Sequence, residues 1–123
     1  MRVLIADDAA LVRRALAIIL EDQGHVVVEA GTGGEAVTRY FANRPDLVLM
    51  DVAMPGMNGV TTADLIRRED GQARIVFISA VVSDGLVRAA QRLGALGVLL
   101  KPLDVGQLHK FLEVENIPIQ TEL

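Results

Sequence analysis

The sequence predicts an α/β fold built on one parallel sheet. Five short apolar runs alternate with five segments of helical character along 123 residues. The runs are nearly continuous in apolar side chains, as strands covered on both faces must be. Strand–helix alternation of this kind implies right-handed crossovers between parallel strands. The length suits one domain, and 51% hydrophobic residues supply a core.

Taken in order, Arg2–Ala6 is the first strand. Ala9–Gln23 follows as a helix with an apolar stripe through Val12, Leu16, Ile19 and Leu20, stopped by Gly24. The β-branched run Val26–Val28 is the second strand. Thr32-Gly33-Gly34-Glu35 has the Thr-x-x-Glu spacing of a capping box and opens a helix to about Asn43. Pro45 ends it, and Leu47–Met50 is the third strand. Val60–Glu69 reads as a helix with Leu65 and Ile66 inward and Arg67, Arg68 and Glu69 outward. Arg74–Ser79 is a strand and Ser83–Leu93 a helix ended by Gly94. Val98–Leu100 is the fifth strand. Asp104-Val105-Gly106-Gln107 caps a last helix running to about Glu115. A domain over 1–115 with a tail over 116–123 is the expected organisation.

Composition excludes several classes. Cysteine is absent, so there is no disulfide framework, thiolate zinc site or cysteine nucleophile. The net charge is −4, and the twelve basic residues are scattered. The doublets Arg13-Arg14 and Arg67-Arg68 fall in helical patterns and read as solvated faces. Aromatics make up 3% with no Trp, which removes base-stacking platforms. Direct nucleic-acid binding is therefore not expected. No apolar run approaches the roughly 20 residues needed to span a bilayer. The N-terminus reaches Asp7 and Asp8 too early for a secretory leader, so a cytoplasmic protein without membrane insertion is expected. His25 and His109 have no ligand-like spacing, and Met50, Met54 and Met57 read as packing residues.

The polar residues gather at strand ends. Asp7 and Asp8 end strand one, Asp51 strand three, Ser79 strand four, and Lys101 (one of two lysines) strand five. In open α/β sheets the carboxyl edge of the strands is where ligands bind. Each residue also has an ordinary reading: the acids as helix caps, Ser79 as a strand-end polar group, Lys101 as a surface charge. Three carboxylates brought together repel, by roughly 4 kcal/mol per pair at about 4 Å and an effective dielectric near 20. Lys101 supplies one positive charge, and a divalent cation could supply the rest. All-oxygen ligation suits Mg²⁺ better than Zn²⁺. Carboxylate, Mg²⁺, lysine and hydroxyl together make a phosphoryl-transfer site, with the carboxylate as nucleophile giving an acyl phosphate. The Asp7-Asp8 pair looks like metal ligation, leaving Asp51 as acceptor.

This pattern resembles the receiver domain of two-component response regulators. The matching pieces are Asp7-Asp8, Asp51 within Leu-Met-Asp-Val-Ala-Met-Pro-Gly-Met-Asn-Gly, Ser79-Ala80 and Lys101-Pro102. The resemblance implies a flavodoxin-like (βα)5 doubly wound sheet of strand order 2-1-3-4-5. It implies Asp51 as phosphoacceptor, Asp8 as a direct Mg²⁺ ligand and Asp7 as a ligand through water. An Asp51 carboxylate oxygen and the Ala53 backbone carbonyl complete the protein ligands. It further implies Lys101 as the phosphoryl contact, Ser79 as the switch hydroxyl and a cis Lys101–Pro102 peptide. The implied partners are a sensor histidine kinase or histidine phosphotransfer protein and an unidentified output partner or domain. A phosphorylation-dependent dimer is one form the output can take. The chain is then a stand-alone regulator or a receiver cut from a longer protein. It assists its own phosphorylation and dephosphorylation without being a turnover enzyme.

Three departures carry expectations. The family usually has Tyr or Phe three residues before the strand-five lysine; here it is Val98. Valine has no ring to turn, so readout is expected through loop and helix-four movement. Ala53 and Val81 stand where relatives orient water with amide or acidic side chains, so slower dephosphorylation is expected. Helix one is unusually apolar, and part of its surface is a candidate docking site for the histidine-bearing donor. Rival readings fit less well. Aspartate-nucleophile phosphatases need a second Asp where Ala53 stands. A flavin-binding module needs a Ser/Thr/Gly phosphate loop where Asp7-Asp8-Ala9-Ala10 stands. A degenerate receiver acting as a non-phosphorylated interaction module is opposed by the presence of all five site residues.

Overall fold

Alternate residues of the central strands belong to two different cores. Val3 and Ile5, Leu47 and Leu49, and Val76 and Ile78 pack into one cluster; Leu4 and Ala6, Val48 and Met50, and Ile75 and Phe77 pack into the other. A strand's side chains alternate between faces, so these apolar runs are dictated by two helical layers. The computed structural model describes residues 1–114. The tail expected over 116–123, and Glu115, lie outside the described residues.

The elements are β1 (Arg2–Ala6), α1 (Ala10–Asp22), β2 (Val26–Ala30), α2 (Gly33–Asn43), β3 (Leu47–Asp51), α3 (Gly59–Glu69), β4 (Ile75–Ser79), α4 (Asp84–Arg92), β5 (Gly97–Leu100) and α5 (Val105–Val114). All strand pairs are parallel, in the order β2-β1-β3-β4-β5. This is the flavodoxin-like arrangement. Leu16, Ala17 and Leu20 of α1 and Leu108 and Leu112 of α5 cover one face. Helices α2, α3 and α4 cover the other through Ala36 and Tyr40, Ala63 and Ile66, and Leu86 and Ala90. Strand order reverses between β1 and β3, which opens a crevice above their carboxyl ends. No helix among the described residues is long and apolar enough to cross a membrane.

Local chemistry sets the helix ends. Thr32, Asn58 and Ser83 accept at their side-chain oxygens from the amides of Glu35, Thr61 and Leu86. The Thr32–Glu35 pair is not a closed capping box, because Glu35 Oε1 accepts from Gly31 N–H at 2.7 Å. Asp104 Oδ1 accepts from Gly106 N–H at 2.8 Å at the start of α5. Gly24 and Gly94 follow α1 and α4 with φ of +94° and +67°, backbone that glycine adopts without a Cβ penalty. Arg44 takes a similar left-handed φ of +45° before Pro45, a stop the sequence reading placed on the proline alone.

Three packing expectations are corrected. The buried stripe of α1 is Leu16, Ala17 and Leu20, while Val12 and Ile19 remain 55% and 38% exposed. With apolar residues on nearly every face of this helix, hydrophobicity alone could not fix its rotation. Leu65 is on the outer side of α3 for a similar reason, leaving Ile66 to fill the core. Neither arginine doublet is simply solvated: Arg67 Nη1 donates to the Ala73 carbonyl at 2.8 Å, and Arg13 is held against β2, as described below.

The start of α3 presses on the end of β3. A Cβ built on Gly59 would lie 2.1 Å from the Asp51 carbonyl oxygen, and the Gly59 amide donates to Val52 O at 2.9 Å. Gly59→Ala is expected to destabilise the chain by about 1–3 kcal/mol, as overpacking does, measured by urea unfolding. Unchanged stability would mean that this contact relaxes freely.

Candidate functional site

Four strands end in polar residues at the same edge of the sheet. The structure brings together Asp7, Asp8, Asp51 and Lys101. One carboxylate oxygen from each acid lies within 4.8 Å of the others. Asp7 and Asp51 are buried, the latter 2% exposed, whereas Asp8 faces solvent. Lys101 Nζ donates to Asp51 Oδ2 at 3.1 Å and lies 3.4 Å from Asp7 Oδ2. The Ala53 amide donates to Asp51 Oδ1 at 3.2 Å, setting its peptide against that carboxylate. Asp7 Oδ1 accepts from Ala9 N–H at 2.9 Å, which braces the loop into α1. The N-cap of α1 is Ala9, without a side-chain bond.

Electrostatics follow from this geometry. Burial, with the negative charge of Asp7 added, pushes the Asp51 carboxyl above the ordinary carboxylate range against the pull of Lys101. Burial alone would lower the Lys101 ammonium, but its bond to Asp51 and the charges of Asp51 and Asp7 hold it above its usual value. Three carboxylates against one ammonium leave an excess of two negative charges, the charge of one divalent cation. All three acids offer oxygen, the donor that Mg²⁺ takes. The residues therefore fit such an ion.

Ser79 stands at the end of β4, but its hydroxyl is engaged elsewhere. It donates to the Val81 carbonyl at 2.6 Å and accepts from the Val81 amide at 3.2 Å. Val98 pairs with Phe77 in the β4–β5 register and packs, half-buried, on the cluster beneath α4. The Lys101–Pro102 peptide is cis. Beside the acids, a groove of about 480 Å³ runs between α1 and the segment entering α5. Val12, Leu16, Ile19, Ile78, Leu103 and Val105 line it, and Asp7 and Lys101 stand in its wall. Leu11, one turn from Asp8, is 88% exposed.

Arg13 escaped the sequence reading, which assigned its doublet to a solvated face. A signal for it existed: positions 13, 16, 17 and 20 share one helical face by the i, i+3, i+4, i+7 rule, so the inward stripe of α1 begins with a guanidinium.

The raised Asp51 carboxyl fixes a pH dependence. The folded chain holds this proton to higher pH than the unfolded chain, so without Mg²⁺ stability falls as pH rises from about 4 through the folded-state value. Asp51→Asn is expected to remove that part of the slope and to stabilise the chain near neutral pH, measured by thermal unfolding across pH in chelator. A steeper slope in the variant would contradict the assignment.

The comparisons with known proteins agree with this fold. The sequence model described as the response regulator receiver domain matches residues 3–113. The chain is 41% identical over 116 residues to the chemotaxis protein CheY of Bacillus subtilis, covering 94% of each. It is 41% identical over 114 residues to the transcriptional regulatory protein PdtaR of Mycobacterium tuberculosis, covering 92% of this chain but 55% of that protein. Among solved structures, CheY in the CheX–CheY–BeF3–Mg²⁺ complex from Borrelia burgdorferi superposes with a TM-score of 0.87 at 30% identity, over 96% of this chain and 90% of that one. That complex contains BeF3 and Mg²⁺. The chain belongs to the response regulator receiver domain family.

Proposed function

We propose that the chain is a phosphoacceptor that takes a phosphoryl group from a phosphohistidine onto Asp51 and thereby controls a partner or output domain. The observation that carries this reading is the buried Asp51 carboxylate, bridged to Lys101 at 3.1 Å and gathered with Asp7 and Asp8 within 4.8 Å. An Asp51 oxygen attacks phosphorus, the N–P bond breaks, and the electron pair stays with the imidazole of the donor. The product is an acyl phosphate, and Asp51 is regenerated by hydrolysis without turnover of a separate substrate. Lys101 lies where it can move from the carboxylate to a phosphoryl oxygen, keeping charge balanced as the group arrives. Asp8, Asp7 through water, Asp51 and the Ala53 carbonyl would hold Mg²⁺, which when bound offsets the charge of the phosphoryl oxygens.

The donor in this reading is a sensor histidine kinase or a histidine phosphotransfer protein in the cytoplasm. The α1 groove supports its docking, since an apolar surface opens directly beside Asp7 and Lys101. Ser79 is the switch hydroxyl. Drawing it toward a phosphoryl group gives up its bonds to Val81, two residues before the α4 cap Ser83. Val98 offers no ring to this movement, so the signal runs through the Ala80–Ser83 loop into α4.

Intact mass after incubation with acetyl phosphate tests the reading. A single phosphoryl adduct that needs Mg²⁺ and is lost in Asp51→Ala is expected. If a phosphohistidine donor also leaves the chain unmodified, the site is that of a non-phosphorylated interaction module. Ala53 and the largely exposed Val81 orient no water, so the adduct of Ala53→Asn should decay several-fold faster than the native one. Equal decay would remove position 53 from the account. Amide shifts on phosphorylation should extend into α4; shifts confined to the acids would overturn the proposed route.

A further inference from the structure

Arg13 ties the first acid of the cluster to the neighbouring strand. Its Nη1 donates to the Asp7 backbone carbonyl at 2.6 Å, and its Nε donates to Glu29 Oε1 on β2 at 3.0 Å. The side chain is 18% exposed, and a Cβ built on Gly31 would come within 3.2 Å of Nη1. Glu29 is shared with Arg14, which also reaches Glu21 at 2.8 Å. Burial opposes ionisation of Glu29, but the two guanidiniums together hold its carboxyl below its usual range, so the anchor is charged. The Asp7 amide donates to Ala30 O at 3.0 Å. Asp7 is thus fastened to β2 at both backbone groups, directly through its N–H and by way of Arg13 through its carbonyl.

We propose that Arg13 is a positioning residue for the cation pocket. It locks the Asp7-Asp8 peptide against β2 so that both carboxylates face Asp51 before any cation arrives. The inference rests on the Mg²⁺ reading of the site. Mutual repulsion of three acids would spread a free loop, and Asp8, being exposed, has no packing of its own to resist. A neutral backbone carbonyl held by a charged fork resists it without placing a further acid in the cluster.

Position and charge predict opposite signs. As a bare cation beside the pocket, Arg13 repels Mg²⁺, and its removal would tighten binding. As a clamp it preorganises the ligands, and its removal weakens binding. Mg²⁺ titration by calorimetry on the full chain, with thermal unfolding in chelator alongside, separates the two. Arg13→Ala and Arg13→Lys are both expected to weaken Mg²⁺ binding, by about tenfold on the scale of groups that orient metal ligands. Lysine keeps the charge but cannot span Asp7 and Glu29 with a planar fork. Arg14→Ala gives up the Glu21 and Glu29 bonds while leaving the Asp7 tie intact, and should lose stability without a change in Mg²⁺ affinity. Unchanged or tighter binding in Arg13→Ala, or native affinity in Arg13→Lys, overturns the proposal. If the alanine variant fails to fold, the lysine variant carries the test. A native chain that binds no Mg²⁺ overturns the reading of the site and this inference with it; native binding with equal affinity in the Arg13 variants overturns the inference alone.

Discussion

The bridge from Lys101 to Asp51 and Asp7 is the contact on which the site depends. Two buried carboxylates side by side at the edge of a low-dielectric sheet must either hold a proton between them or be balanced by a cation. The ammonium reaches both, at 3.1 and 3.4 Å. It comes from the far side of the crevice, beyond β4, so β1, β3 and β5 must hold a common level for the bridge to form. The charge balance is incomplete, because three acids face one lysine. A pocket left short of positive charge fits a divalent cation at its three carboxylates.

The sheet supplies that common level. Ala6 is in register with Met50, Asp51 with Ile78, and Ser79 with Leu100. Each polar residue therefore appears as its strand leaves the core, at the point where both helical layers stop covering it. The close approach of Gly59 to the Asp51 carbonyl seals the β3 exit from below. Asp51 is consequently buried where β3 leaves the core. That burial, with the charge of Asp7 added, raises its carboxyl above the usual range.

Much of this was legible in the sequence, for identifiable reasons. Strands buried on both faces leave uninterrupted apolar runs, and the acids, hydroxyl and lysine mark where those runs end. The positions of the strands and the gathering of acids follow from that single fact, although Glu29 interrupts the apolar run of β2, which extends to Ala30 rather than ending at Val28. The rotation of α1 did not follow, because Val12, Ile18 and Ile19 are as apolar as the residues that pack, and a helix with apolar residues on several faces carries no unambiguous stripe. Arg13 was hidden for a related reason: a long side chain on an inward position can cross to a neighbouring strand, and its partner Glu29 is sixteen residues away in sequence. Ser79 was located correctly at its strand end, but its bond to Val81 depends on the conformation of the following loop, which periodicity does not describe.

The division of alternate strand residues between two cores has a mechanical meaning. A strand committed to both layers cannot slip by one position without exchanging its entire set of side chains, so the sheet is effectively rigid to sliding. Whatever passes from Asp51 to a distant surface must leave through the segments hung from the strand ends: 52–58, 80–83 and 101–104. These are short and partly solvated, though Val52, Met54 and Leu103 still pack on the cores. Loop segments of this kind rearrange in about nanoseconds to microseconds, faster than strands locked into two cores can exchange register.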